Sequence, residues 1–85
     1  MDVTEARRPR VRIRLDPEKL RELRLLGGLT QAELGKKAKV SSISIHMYET
    51  GQRLNPHPNT TRRISRALGV KPAEILVREE VEEKR

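Results

Sequence analysis

The residues best placed to do chemistry fall between Thr30 and Gly51, where the chain reads TQAELGKKAKVSSISIHMYETG. Gln31, Ser42 and His46 bring hydrogen-bonding groups, and Lys36, Lys37 and Lys39 bring cations. Such a set recognises a polar, anionic surface and makes no bonds. The parts of a catalyst are missing: there are no paired carboxylates, no nucleophile beside a base and no glycine loop that cradles phosphate. An enzyme is therefore not expected. With no cysteine and only two histidines, thiolate metal sites and disulfides are excluded, and neither a metal nor a cofactor is expected.

The chain has 85 residues, enough for one small domain with a thin core. Tyr48 is the only aromatic, so Leu, Ile, Val and Ala must supply most of the burial. A net charge of +7, from 19 Lys and Arg against 12 Asp and Glu, favours a polyanionic partner. Nucleic acid comes first and an anionic membrane second. No apolar run reaches membrane-spanning length and no secretory pattern opens the chain, so a cytoplasmic, nucleoid-associated protein with no membrane partner is expected. The charge is unevenly placed: residues 1–15 are a basic arm, while residues 78–85 form a charged tail of slightly acidic balance.

Local signals divide the part between into helices. Asp16-Pro17 starts the first, an Asp cap followed by a proline that does no harm at the first helical position. It runs to about Leu26, with Leu20 and Leu23 on one face, and Gly27-Gly28 stop it. Thr30-x-x-Glu33 is a capping box that opens the second, which ends near Ala38. Ser41 caps the third, which runs to about Thr50 with Ile45 and Tyr48 inward and a polar opposite face. Pro56 and Pro58 hold the next segment extended as a loop. A fourth helix covers about Pro58 to Leu68, with Ile64, Ala67 and Leu68 inward. A fifth is expected from Pro72, passing into REEVEEKR as a solvated helical extension or a frayed end. In the arm, Val11, Ile13 and Leu15 alternate with Arg10, Arg12 and Arg14, which suits either a short strand or a disordered basic tail.

The order of short motifs is specific as a set: L-R-x-L-R at 20–24, G-L-T-Q at 28–31, A-E-L at 32–34, V-S at 40–41, Ile45, E-x-G at 49–51 and A-L-G-V at 67–70. Over about residues 17–77 this resembles the helix-turn-helix domain of phage repressors and Cro, also called the XRE family. The resemblance implies an all-α, five-helix, repressor-like DNA-binding domain over residues 16–77, with the extended basic arm before it and the charged tail after it. It implies that the second and third helices form the DNA-binding pair. Carried over by position, Ser42, Ile43, His46 and Met47 are the base-reading candidates, and Gln31 would anchor a phosphate, or is simply a polar residue of a first turn. Lys36, Lys39, Arg53, Asn55 and Arg62 are further phosphate candidates, joined by Lys37 and Arg63. Arg24 and Glu49 match a structural salt bridge between the first and third helices.

The third helix offers no Arg, Lys, Asn or Gln for bidentate base pairing, so readout must be quiet and partly apolar. Ile43 and Met47 could touch thymine methyls, or pack on a neighbouring helix or subunit. Lys39 stands where the family usually has glycine, the loop after Gly51 is one residue long by comparison, and Pro58 and Thr61 replace apolar residues that seat the fourth helix. Dimerisation through the last two helices is weakened accordingly. The expected function is sequence-specific double-stranded DNA binding by a repressor-like homodimer. A protein-interaction or coactivator module, or an antitoxin that also binds a toxin partner, is the alternative. RNA is disfavoured because Tyr48 belongs to the core and leaves no stacking platform.

Overall fold

The computed structural model describes residues 10–81. The elements run β1 (Arg10–Leu15), α1 (Pro17–Leu26), α2 (Gln31–Ala38), α3 (Ser42–Glu49), α4 (Pro58–Leu68), a 3-10 turn (Pro72–Ile75) and β2 (Leu76–Val81). Each helix starts on a side chain that accepts an otherwise orphaned backbone N–H. Asp16 accepts from Lys19 at 3.1 Å and Ser41 from Ser44 at 3.0 Å. At α2 the box is reciprocal, with Glu33 N–H donating to the Thr30 hydroxyl at 3.0 Å and Thr30 N–H to the Glu33 carboxylate at 2.9 Å. Before Pro58, the Nδ1 of His57 accepts from the Asn59 N–H at 3.0 Å.

Leu15, Leu20, Leu34, Ala38, Ile45, Tyr48, Ile64 and Ile75 form the buried core, and Leu23, Leu29, Val40, Ala67, Leu68, Val70 and Leu76 pack around it. Every helix contributes at least one side chain, as do the inner end of β1 and the 3-10 turn. Thr61 is buried beside them on α4, and its hydroxyl finds the His57 carbonyl at 3.4 Å. A polar residue at this seat is thereby tolerated, although it adds little apolar burial.

The expected all-α, five-helix fold is corrected at its C-terminal end. There are four α-helices among the described residues; the helix expected from Pro72 is a single 3-10 turn, after which the chain extends at Leu76 and becomes β2. Its partner is β1, antiparallel, in the register Arg10↔Val81, Arg12↔Glu79, Arg14↔Val77 and Leu15↔Leu76. The physical reason is complementarity across the chain. Glu79 meets Arg14 at 3.2 Å and Arg12 at 4.0 Å, and the ladder outweighs the modest helix preference of a Glu-rich stretch. Residues 78–81 are thus strand, neither helical extension nor frayed end. Of the basic arm, residues 10–15 are β1 and residues 1–9 lie outside the described residues, as do residues 82–85.

Between α2 and α3 the backbone reverses at Lys39, which sits in the left-handed region at φ 60°, ψ 46°. For a residue with a Cβ this costs about 1 to 2 kcal/mol. Glycine would remove that strain while adding unfolded-state freedom, so Lys39→Gly is expected to raise the unfolding free energy by about 1 kcal/mol. A urea melt in which the variant's midpoint fails to rise would contradict this account of the turn.

Candidate nucleic-acid interface

The tight turn at Lys39 sets α2 against α3, and the side chains at their junction form a connected polar network. Arg24 of α1 donates from Nε to Glu49 at 2.6 Å and from Nη2 to the other carboxylate oxygen at 3.0 Å, while Nη1 donates to the Leu29 carbonyl at 2.8 Å. This is a forked, charge-assisted pair. The two side chains are only 9% and 3% exposed. The hydrogen bond with Glu49, reinforced by its charge against the cost of burial, raises the Arg24 pKa above its ordinary value, so the guanidinium stays protonated.

Gln31 joins the same network from the first position of α2. Its amide donates to Glu49 at 3.1 Å and lies 3.5 Å from Nδ1 of His46. Arg24, Glu49, Gln31 and His46 therefore run as one chain from the interior to the surface. Ser42 lies at the near end of α3, and with Gln31, Ala32, Thr30, Gly28 and Leu25 it lines a shallow depression open to solvent. The capping box occupies the N–H groups of Thr30 and Glu33, which leaves those of Gln31 and Ala32 at the open N-terminus of α2.

On α3, Ser42, Ile43 and His46 are exposed and Met47 is half-buried. Ile43 is 67% exposed. The cationic candidates divide into separate groups. Lys37 and Lys39 line a cleft between α2 and α4 with Arg63 and Arg66. Arg63 is engaged there, donating from Nε to the Ala38 carbonyl at 3.1 Å, and so helps to cap α2. Arg53 and Asn55 follow α3 in the loop beside Tyr48 and Thr60. Arg62 holds Asn59 on its own helix and lies with Asn55 along a cleft that reaches β1. Lys36 is exposed on α2.

Two features were missed by the reading of the sequence. The Gln31–Glu49 bond had no sequence signal, because nothing in the spacing says which way an amide at a helix start will turn. Gly35 did carry one, a glycine inside a helix where it costs stability unless something passes close. A Cβ built on it falls against the Val40 carbonyl oxygen, with the Ser42 nitrogen at 3.3 Å. At Gly35 the backbone of the turn and the start of α3 pass close against α2.

This arrangement defines the class of the protein. The chain belongs to the helix-turn-helix domain family, whose model matches residues 18–76, and it is a Cro/repressor-type DNA-binding transcription regulator. Among solved structures it is similar to the restriction-modification controller protein C.AhdI from Aeromonas hydrophila, with 31% identity over 68% of this chain and 86% of that one, at a TM-score of 0.65. It is equally similar to the P22 c2 repressor solved with a synthetic operator, at 31% identity over 68% and 86% of the two chains and a TM-score of 0.64. SinR, a regulator of biofilm formation solved with DNA, shares the fold at 23% identity, covering 67% and 90% of the two chains with a TM-score of 0.65. Comparison with curated proteins finds no match. No helix among the described residues is long and apolar enough to cross a membrane.

Proposed function

We propose that the protein is a sequence-specific, repressor-like regulator that binds double-stranded DNA as a homodimer, with residues 16–77 as its DNA-binding unit and α3 lying in the major groove. One observation carries the reading: the open N-terminus of α2, with Gln31 on it, stands directly beside the exposed face of α3 that holds Ser42 and His46. A phosphate seated on the free N–H groups of Gln31 and Ala32 would meet the positive end of the helix. That contact would lay α3 along the base edges. Lys36, Lys39, Arg53, Asn55 and Arg62 would add charge along the flanking backbone. The C.AhdI and P22 c2 likenesses support the same role.

The apolar and singly hydrogen-bonding residues of α3 imply few direct base contacts, so part of the specificity falls to DNA shape. Binding-site selection from random duplexes tests this directly. Ser42→Ala and His46→Ala are each expected to alter the selected sequence and weaken the preferred site by about 1 kcal/mol. Gln31→Ala should weaken all sites alike with little change in the slope of log K against log salt, whereas Lys36→Ala should flatten that slope by about 0.9. If both α3 variants select the wild-type sequence unchanged, α3 is not the reader.

A second reading, a protein-interaction module or an antitoxin that also binds a toxin, draws support from exposed Leu25, Leu26 and Ile43. Absence of any selected duplex at physiological salt would favour it.

A further inference from the structure

We propose that the outer edge of β2 pairs with the same edge of a second copy of this chain, joining two ribbons into one four-stranded sheet in the order β1-β2-β2-β1. The inference rests on the homodimer of the preceding reading and names its surface. A two-stranded ribbon is marginal by itself in water. This one leaves Val11 and Ile13 about half exposed, at 48% and 52%, and among the described residues no third strand covers it.

Backbone direction identifies the free edge. Asp16 N–H turns inward to the Ile75 carbonyl at 2.9 Å, whereas Leu15 N–H turns outward to the Leu54 carbonyl at 2.8 Å. Because an antiparallel strand alternates these directions, Arg78 and Glu80, opposite Ile13 and Val11, send their N–H and C=O groups away from β1. Those groups are a template for another strand.

Charge then chooses between the two edges. On β1 the Leu54 loop already occupies the inner end, and any two-fold pairing through the outward groups of Leu15, Ile13 and Val11 would set arginine opposite arginine. On β2 the two-fold antiparallel register through the outward groups places Arg78 opposite Glu80 of the second copy, and Glu80 opposite its Arg78. Opposite charges at facing positions favour such a ladder. Among the described residues neither Arg78 nor Glu80 has an ion pair, and both face apolar neighbours on β1. Glu79 would meet its own counterpart at the two-fold axis, but Arg14 and Arg12 already offset its charge.

Sedimentation of the full chain without DNA, with circular dichroism to verify folding, tests the surface. The wild type should form a reversible dimer. Arg78→Glu and Glu80→Arg should each raise its dissociation constant about tenfold or more, and the double reversal R78E/E80R should restore it to within about threefold. In the wild type, the amides of Arg78 and Glu80 should gain protection from hydrogen exchange as concentration rises. A chain that stays monomeric, a dimer indifferent to both single reversals, a double reversal that fails to recover, or oligomers that keep growing would each overturn the proposal. So would rapid exchange of both amides in the dimer. A duplex carrying one half-site separates this outcome from failure of the DNA reading: Arg78→Glu should bind it like the wild type while losing affinity for the palindrome. A wild type that binds no duplex would refute the DNA reading and leave the sheet to be judged by sedimentation and exchange.

Discussion

Glu49→Ala is expected to lower the unfolding free energy by about 3 to 5 kcal/mol, the cost of stranding a buried charge. Among the described residues the carboxylate is the sole anion against the forked face of Arg24, and it also holds the Gln31 amide. Its loss leaves a guanidinium only 9% exposed with the Leu29 carbonyl as its one remaining acceptor among the described residues. Because the pair is enclosed, salt should screen the effect little, unlike a surface bridge such as Lys19–Glu22. The double replacement Arg24→Met with Glu49→Leu should recover much of the lost stability, since it removes both desolvation costs together. It should not recover DNA affinity, because Gln31 would still lack the carboxylate that orients it. Urea titration of the single and double variants supplies the numbers; a loss below about 1 kcal/mol for Glu49→Ala would mean that the pair behaves as an exposed one.

Gly35→Val should cost about 3 kcal/mol, at the upper end of overpacking penalties, and abolish duplex binding under conditions where the variant still folds. The obstruction at Gly35 is backbone, the Val40 carbonyl and the Ser42 nitrogen, and backbone cannot swing aside as a long side chain can. Room for a Cβ and two methyl groups has to come from separating α2 and α3, which also moves Gln31 away from His46. Gly35→Ala already sets its Cβ against the same backbone and should also destabilise the domain, though less than valine. Thermal unfolding and duplex binding measured on both variants check the ordering; wild-type stability for the alanine variant would show that the turn yields freely.

Much of the helical frame was legible because its signals are local. Asp16-Pro17, the Thr30–Glu33 box, Ser41 and Gly69 each mark a helix end through a group one to four residues away. Ile45 and Tyr48 declared the inward face of α3 by spacing alone. The sheet was legible from one side only. Alternation of arginine with Val11, Ile13 and Leu15 suited a strand, but the stretch after Leu76 offers only Val77 and Val81 around Arg78, Glu79 and Glu80, a pattern equally at home on a charged helix. What decides for a strand is a basic partner more than sixty positions earlier, a fact no window of sequence contains. The junction of α2 and α3 divides in the same way. Arg24 and Glu49 were named by resemblance, and they meet. That Gln31 turns inward to the same carboxylate, and that Arg63 reaches across to Ala38, depend on packing that only the assembled helices define.

The ribbon joins Arg10 to Val81, and so its ladder closes nearly the whole described chain into a single loop. Closing so long a loop is entropically costly until something else has brought its ends together. The four helices, which pack on one another across shorter separations of chain than the ribbon spans, do that first, carrying Leu15 and Ile75 into the core and the two strands into reach. The order of assembly follows: the helix-turn-helix forms early, and the strands zip outward from Leu15 and Leu76 toward Arg10 and Val81. Opening runs in reverse, so the far end of the ribbon can fray and re-form while the DNA-facing helices stay packed.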